Sequence, residues 1–145
     1  MKALETFAKV RWICGGEQKE EDISRLNNVL TNVEKAYVIG TDAAKFSSQI
    51  SCEFEICNTM DVAVKKAFND AKAGETVLLA PAAASFDQYS SFEERGKAFE
   101  QEIEKLVWNK KYCLILKIEN LDKFYKYRNN KLKSLFPLAF EEEFV

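Results

Sequence analysis

Two short loops carry the side chains of this sequence that are best suited to binding an anion. In GGEQK, residues 15–19, a lysine follows a glycine turn directly after a predicted strand. In PAAAS, residues 81–85, small residues lead to a serine at a helix-start signal. A lysine ammonium, a serine hydroxyl and the free backbone N–H groups of a helix N-terminus all favour a bound carboxylate or phosphate. The two loops therefore predict an anion site containing Lys19 and Ser85, if the fold brings them together.

Ordinary helix capping also accounts for the second loop. Ser85 with Gln88, and Ser90 with Glu93, both match the capping box, in which the serine and the residue three positions later satisfy free N–H groups reciprocally. This interpretation predicts a helical turn at 85–89 and a long helix from about Ser91. Its buried face would comprise Phe92, Phe99, Ile103 and Leu106. Lys19 likewise has the simpler interpretation of a solvated surface lysine, and the residues alone leave both interpretations open.

The composition excludes several kinds of site. The chain has 145 residues, of which 47% are hydrophobic and 30% charged, as in one globular domain. It contains no histidine, which removes the usual general base of serine and cysteine nucleophiles. Its four cysteines, Cys14, Cys52, Cys57 and Cys113, form no CxxC pair, so zinc is not expected. The N-terminus has no signal-peptide pattern, and we expect a cytoplasmic protein.

Strand and helix patterns alternate along residues 10–107. Strands are predicted at 10–16, 35–41, 53–57 and 75–81 from β-branched, aromatic and continuous apolar content. Between the strands, the helical spacing of Ile23, Leu26 and Leu30 predicts one helix, and a second, short helix is predicted at 43–50. A third helix is predicted to be capped by Thr59 and to end with Gly74 at its C′ position. This alternation predicts an α/β fold, Rossmann-like and doubly wound, with a mainly parallel sheet and helices on both faces. Ligands of such sheets bind beyond the carboxyl ends of the strands, where both anion-binding loops would lie.

A longer motif adds a resemblance to a known family. The stretch VLLAPAAASFDQYSSFEERGKAF, residues 77–99, resembles the pattern LSPACASxDQFxxFEQRGxxF of the C-terminal domain of the Mur ligase family. Together with GGEQK, the resemblance spans roughly residues 3–107 and is greatest to the members that add D-glutamate. Ala80 and Ala83 replace a serine and a cysteine of the pattern, and neither is expected to alter the pocket.

The resemblance implies a function in peptidoglycan precursor synthesis. Family members of this kind use ATP and magnesium to activate the carboxylate of UDP-N-acetylmuramoyl-L-alanine, which the amine of D-glutamate then attacks. Carried over by motif position, Lys19 would pair with a D-glutamate carboxylate, Ser85 would hydrogen-bond it, and Phe92 would border the pocket. The chain has no G-x-x-x-x-G-K-[ST] phosphate loop, so we expect it to bind neither ATP nor Mg²⁺ by itself. We also expect it to hold no catalytic or metal-binding residue and to be inactive without the family's UDP-binding and ATPase domains.

The last part of the chain departs from the family. We divide the chain into a ligase C-terminal domain at 1–108 and a basic and aromatic tail at 109–145. Within the tail, residues 110–133 carry eight basic side chains and two acidic ones. The tail allows three interpretations: a strand at 112–118 followed by a helix at 120–136 with solvated lysines, an interface for a partner, or the frameshifted end of a broken gene. We predict no nucleic-acid and no membrane partner. The alternative function is thus a non-catalytic binding module, or the remnant of a ligase gene.

Overall fold

A computed structural model describes residues 2–107 and 116–118, which form a parallel sheet with helices on both sides. The sheet has five strands in the order β3-β2-β1-β4-β5. The strands are β1 (Val10–Gly15), β2 (Val33–Ile39), β3 (Phe54–Asn58), β4 (Thr76–Leu79) and β5 (Leu116–Ile118). The helices are α1 (Lys2–Thr6), a 3₁₀ helix (Ser24–Val29), α2 (Ala43–Ser47), α3 (Met60–Asp70) and α4 (Phe92–Val107).

Two apolar clusters cover the two faces of the sheet. On one face, residues of α1, the 3₁₀ helix and α2 pack around Trp12, whose ring lies 6.0 Å from that of Phe46. On the other face, Phe99 and Ile103 of α4 pack with the apolar side of α3. All residues of β1 and β4 are buried because both strands are covered on both faces. The predicted α/β, Rossmann-like, doubly wound fold is confirmed.

The strand order decides where the loops lie. β1 pairs in parallel with β2 on one side and with β4 on the other, so the chain reverses its direction of winding at β1. In doubly wound sheets the loops at this switch point open a crevice at the carboxyl ends of the strands. The GGEQK and PAAAS loops are the two that follow β1 and β4.

The helix predicted from the spacing of Ile23, Leu26 and Leu30 is present, but it is shorter and tighter than that spacing suggests. Only Ser24–Val29 are helical, as a 3₁₀ helix with Leu26 buried. The Asn27 side chain donates to the carbonyl of Gln49 at 3.0 Å and accepts the N–H of Ser51 at 2.8 Å. These bonds fix the segment against the loop after α2, because asparagine side chains compete with regular helical bonding.

The prediction that Gly74 ends α3 is wrong. The helix ends at Asp70, and its C-cap is Ala71 with extended backbone angles. Gly74 has φ +85° in a turn closed by the bond from the Glu75 N–H to the Lys72 carbonyl at 3.0 Å. A positive φ at the third position of such a turn favours glycine, so Gly74 serves the turn into β4. Thr59 does occupy the N-cap position of α3, although its side chain makes no capping bond.

A network of charged side chains lies at the amino ends of the strands. Arg11 of β1 donates to both carboxylate oxygens of Glu75, from Nε at 2.7 Å and from Nη2 at 3.2 Å. Beside it, Asp70 accepts from the Tyr37 hydroxyl at 2.8 Å and from the Lys35 ammonium at 3.2 Å. The Arg11–Glu75 pair is buried, so its contribution is to the fold rather than to a surface.

One strand of the tail joins the sheet. Leu116–Ile118 pairs in parallel with β4 in the register Val77–Leu116. The predicted strand at 112–118 is therefore confirmed in its last three residues. The predicted helix at 120–136 and its basic, aromatic stretch lie outside the described residues. Within the described ranges, no helix has the length and apolarity needed to cross a bilayer.

Candidate functional site

The loops after β1 and β4 are joined by backbone hydrogen bonds. Glu17 and Ala84 form an antiparallel bridge in which each N–H donates to the other's carbonyl at 3.0 Å. A second bond joins the same two loops, since the Gly15 N–H donates to the Pro81 carbonyl at 2.7 Å. Lys19 lies two residues after one end of this bridge, and Ser85 follows the other end directly. The structure therefore brings together the two loops that the sequence selected independently.

Close approach of three loops explains why glycines occur here. Gly16 has φ +136°, and a Cβ on it would lie 2.2 Å from the Ala84 carbonyl oxygen. Gly40, which follows β2, has φ +94°, and a Cβ there would lie 2.4 Å from the Gly16 Cα. Both separations are far below a van der Waals contact, so these loops pack backbone against backbone. Ala82 also has a positive φ, +55°, a conformation that costs a non-glycine residue about 1–2 kcal/mol.

Two aspartates fix the third loop to the first two. The Asp87 carboxylate accepts the Thr41 N–H at 2.9 Å, which ties the loop after β4 to the loop after β2. The Asp42 carboxylate accepts the Gln18 N–H at 2.8 Å, which ties the loop after β2 to GGEQK. The backbone around Lys19 is therefore held from two sides.

The helix-start signals are used differently from the prediction. The carbonyl of Ser85 accepts the N–H groups of Gln88 at 3.1 Å and Tyr89 at 2.8 Å, so the predicted helical turn exists. The Gln88 side chain does not return to Ser85, as the capping box requires, but donates to the Asn58 carbonyl at 2.7 Å. Gln88 thereby connects the site loop to the end of β3.

The cap of α4 is Ser91 rather than Ser90. Ser91 Oγ accepts the Glu94 N–H at 3.2 Å, and Glu94 accepts the Ser90 N–H at 3.1 Å. Hydrogen bonds from Ser90 lower the pKa of Glu94 below its usual value. The predicted pair of Ser90 and Glu93 is thus shifted by one residue, because two adjacent serines precede two adjacent glutamates and only the tertiary packing of α4 selects the register.

Removing the cap gives a testable effect. Ser91→Ala is expected to lower the free energy of unfolding by about 1 kcal/mol, because the Glu94 N–H loses its acceptor. Ser91→Asp is the matched control, since a carboxylate can accept the same bond and favours a helix N-terminus. Urea denaturation followed by circular dichroism measures both variants. Equal destabilisation by alanine and aspartate would contradict the assignment of Ser91 as the cap.

The three predicted site residues differ in exposure. Lys19 is exposed, and its ammonium lies 5.4 Å from the centroid of the Phe86 ring. Ser85 is buried, with 4% of its surface exposed. Phe92 is the first residue of α4 and is 44% exposed, so the prediction that it lies on the buried face of the helix is wrong. Its exposure leaves the ring available to a ligand at the start of the helix.

Arg95 is a residue of the site region that the sequence analysis did not select. It is buried, and its Nη1 donates to the Ala83 carbonyl at 3.0 Å, which anchors α4 to the PAAAS loop. Burial lowers the pKa of the Arg95 guanidinium below its usual value. The sequence contained one signal that could have identified Arg95, namely its place in the FEERG part of the family motif. A charged side chain on the buried side of a helix start needs a hydrogen-bond partner.

Comparison with known proteins shows where the chain belongs. No protein-family model matches it. It is 57% identical over 105 residues to the UDP-N-acetylmuramoylalanine–D-glutamate ligase of Ruegeria pomeroyi, covering 72% of the chain and 22% of the ligase. The ligases of the same name from Roseobacter denitrificans and Cereibacter sphaeroides are 55% and 50% identical over 104 and 107 residues, which cover 72% and 73% of the chain. The chain spans less than a quarter of the length of these relatives, 22–23%. With this similarity and the fold described above, the chain belongs to the Mur ligase family and corresponds to the C-terminal portion of its D-glutamate-adding members.

Proposed function

We propose that this chain binds D-glutamate at the mouth formed by the GGEQK and PAAAS loops, as the amino-acid-binding part of a ligase. The observation that carries the proposal is the Glu17–Ala84 bridge, which holds Lys19 and Ser85 on adjoining loops at the carboxyl edge of the sheet. The names of the relatives, which specify D-glutamate, support the choice of ligand.

Each of the three residues has a distinct part in binding. The Lys19 ammonium offers three N–H donors and a positive charge to a carboxylate. The Ser85 hydroxyl makes no hydrogen bond to another described residue, so it is available to donate. Phe92 begins α4, and the N–H of a first helical residue has no partner within the helix, so its backbone can donate to the same anion while its ring borders the pocket.

The ligation itself requires groups that this chain does not supply. ATP and Mg²⁺ activate the carboxylate of UDP-N-acetylmuramoyl-L-alanine in the whole ligase, as its family implies. This chain has no phosphate-loop motif, and no cluster of three His, Cys, Asp or Glu residues suited to a metal occurs in the ranges that the structure describes. We propose that it binds the amino acid without catalysing ligation by itself, because the sequence contains no phosphate-loop motif for ATP.

A charge-removal experiment tests the binding site. D-Glutamate added to the full chain is expected to shift the backbone amide signals of residues 17–19 and 84–92 in ¹⁵N–¹H NMR spectra, with a dissociation constant in the millimolar range. Lys19→Ala should weaken binding at least about tenfold, because a charge-assisted hydrogen bond contributes about 1.5–3 kcal/mol. Lys9→Ala is the matched control, since it removes the same charge from an exposed residue at the opposite, amino-terminal edge of β1.

Three results would count against this function. Equal weakening in Lys9→Ala and Lys19→Ala would show that only net charge matters. Saturable binding that Lys19→Ala leaves unchanged would place D-glutamate elsewhere. A wild-type chain that does not respond to D-glutamate would favour the alternative of a non-catalytic binding module.

A further inference from the structure

Phe86 exposes its ring although its backbone is fixed. Its residue surface is 63% exposed, the largest value among the exposed large apolar residues of the described chain. It begins the helical turn that is closed by bonds to the Ser85 carbonyl. Of the next two residues, Asp87 bonds to the loop after β2 and Gln88 bonds to the last residue of β3. The turn therefore presents the ring to solvent in a defined place, and core packing does not account for it.

The ring lies beneath the ammonium of Lys19. The Lys19 Nζ is 5.4 Å from the ring centroid, within the range of about 6 Å at which a cation is attracted to an aromatic face. Lys19 makes no ion pair with any residue that the structure describes. The loop nevertheless contains exposed carboxylates at Glu17, Glu20 and Glu21, of which Glu20 pairs with Arg25 at 2.8 Å. The aromatic face is thus the contact that gives the Lys19 ammonium a defined position.

We propose that Phe86 is a positioning residue that holds the Lys19 ammonium at the mouth of the site for a ligand carboxylate. This inference rests on the proposed D-glutamate site. A lysine side chain has four rotatable carbon–carbon bonds, and a ligand that must order them loses affinity. A cation on an aromatic face keeps N–H donors on the side away from the ring, so the contact with Phe86 and the bond to a carboxylate are compatible. An aliphatic residue at position 86 would leave the lysine free to rotate.

The test combines a geometric and a functional measurement on the full chain. In the wild type, the ε-CH₂ protons of Lys19 should be shifted upfield by the ring current of Phe86, relative to those of Lys9. Phe86→Leu should abolish this shift and weaken D-glutamate binding about two- to fivefold, the size of an exposed cation–π contact. Phe86→Tyr keeps an aromatic face and should retain both the shift and the affinity. In a Lys19→Ala background, Phe86→Leu should have no further effect on affinity.

The outcomes separate this inference from the proposed function. An unshifted Lys19 signal in the wild type would overturn it directly. If Lys19→Ala weakens binding but Phe86→Leu does not, the D-glutamate site stands and the positioning role fails. If Phe86→Leu weakens binding equally with and without Lys19, the ring contacts the ligand itself and the inference is again wrong. If the wild type does not bind D-glutamate, both proposals fail together.

Discussion

Gly40→Ala is expected to separate the three loops of the site. It should also destabilise the protein more than Gly74→Ala does, because Gly74 has a similar φ but open surroundings. The added Cβ would lie 2.4 Å from the Gly16 Cα and 2.7 Å from Asp87 Oδ2. Since backbone cannot move aside as a flexible side chain does, the loop after β2 must shift. The bonds between Asp87 and Thr41, and between Glu17 and Ala84, should then weaken. Hydrogen exchange of the Glu17 and Ala84 amides, followed by NMR, would report this opening.

Gly74→Ala is the matched control for this prediction. Gly74 has a similar backbone angle, φ +85° against +94° at Gly40, but a Cβ on it would meet nothing within 4 Å. Both variants carry the strain of a left-handed alanine, about 1–2 kcal/mol. Gly40→Ala should lose about 1–3 kcal/mol more through overpacking, measured by urea denaturation. Equal losses, with amide exchange at Glu17 and Ala84 unchanged, would show that the close packing of the loops does not constrain position 40.

Glu75→Ala is expected to have the largest effect among charge removals, about 3–5 kcal/mol of lost stability. The side chains of Arg11 and Glu75 are only 11% and 4% exposed, so the variant leaves a buried guanidinium without its carboxylate. The Lys72 N–H, which donates to Glu75 at 3.0 Å, also loses its acceptor. Chemical denaturation of Glu75→Ala and of the double variant Arg11→Met/Glu75→Leu measures the effect. The double variant should be the more stable of the two, because it buries no unpaired charge.

An exposed ion pair provides the control for this prediction. Arg25 and Glu20 approach to 2.8 Å, nearly as closely as the buried pair, but their side chains are 72% and 58% exposed. Glu20→Ala should therefore change the free energy of unfolding by about 1 kcal/mol or less. A loss in Glu75→Ala as small as that in Glu20→Ala would contradict the importance assigned to the buried pair.

The same buried pair gives stability a defined pH dependence. The hydrogen bond from Arg11 lowers the pKa of Glu75 below its usual value of 4.5. A carboxylate with a lowered folded-state pKa stabilises the fold fully above its unfolded value, and this contribution is lost as the pH falls through the folded value. The wild type should therefore lose more stability below pH 4.5 than Glu75→Gln, whose side chain does not titrate there.

Much of the fold follows from local patterns. The continuous apolar runs of β1 and β4 predict strands covered on both faces, and the structure buries every residue of both. Departures occur where a local signal had more than one use. Gly74 was predicted to end a helix but lies in a turn. The cap of α4 was predicted at Ser90, and the structure places it one residue later, at Ser91. Short-range patterns do not separate such cases, because the competing interactions have similar free energies until distant segments pack against them.

The sequence by itself determined the alternation of strands and helices, the family, and the two loops whose residues suit an anion, because periodicity and motif spacing are properties of neighbouring residues. Only the tertiary structure decided that these loops are bonded through Glu17 and Ala84 and that Phe92 is exposed at the start of α4. It also decided that the Lys19 ammonium lies over Phe86, which is far along the chain from it. These contacts depend on the order β3-β2-β1-β4-β5, which places the ends of β1 and β4 side by side. Strand order is fixed by burying both faces of the sheet at once, and no short segment of the sequence contains that information.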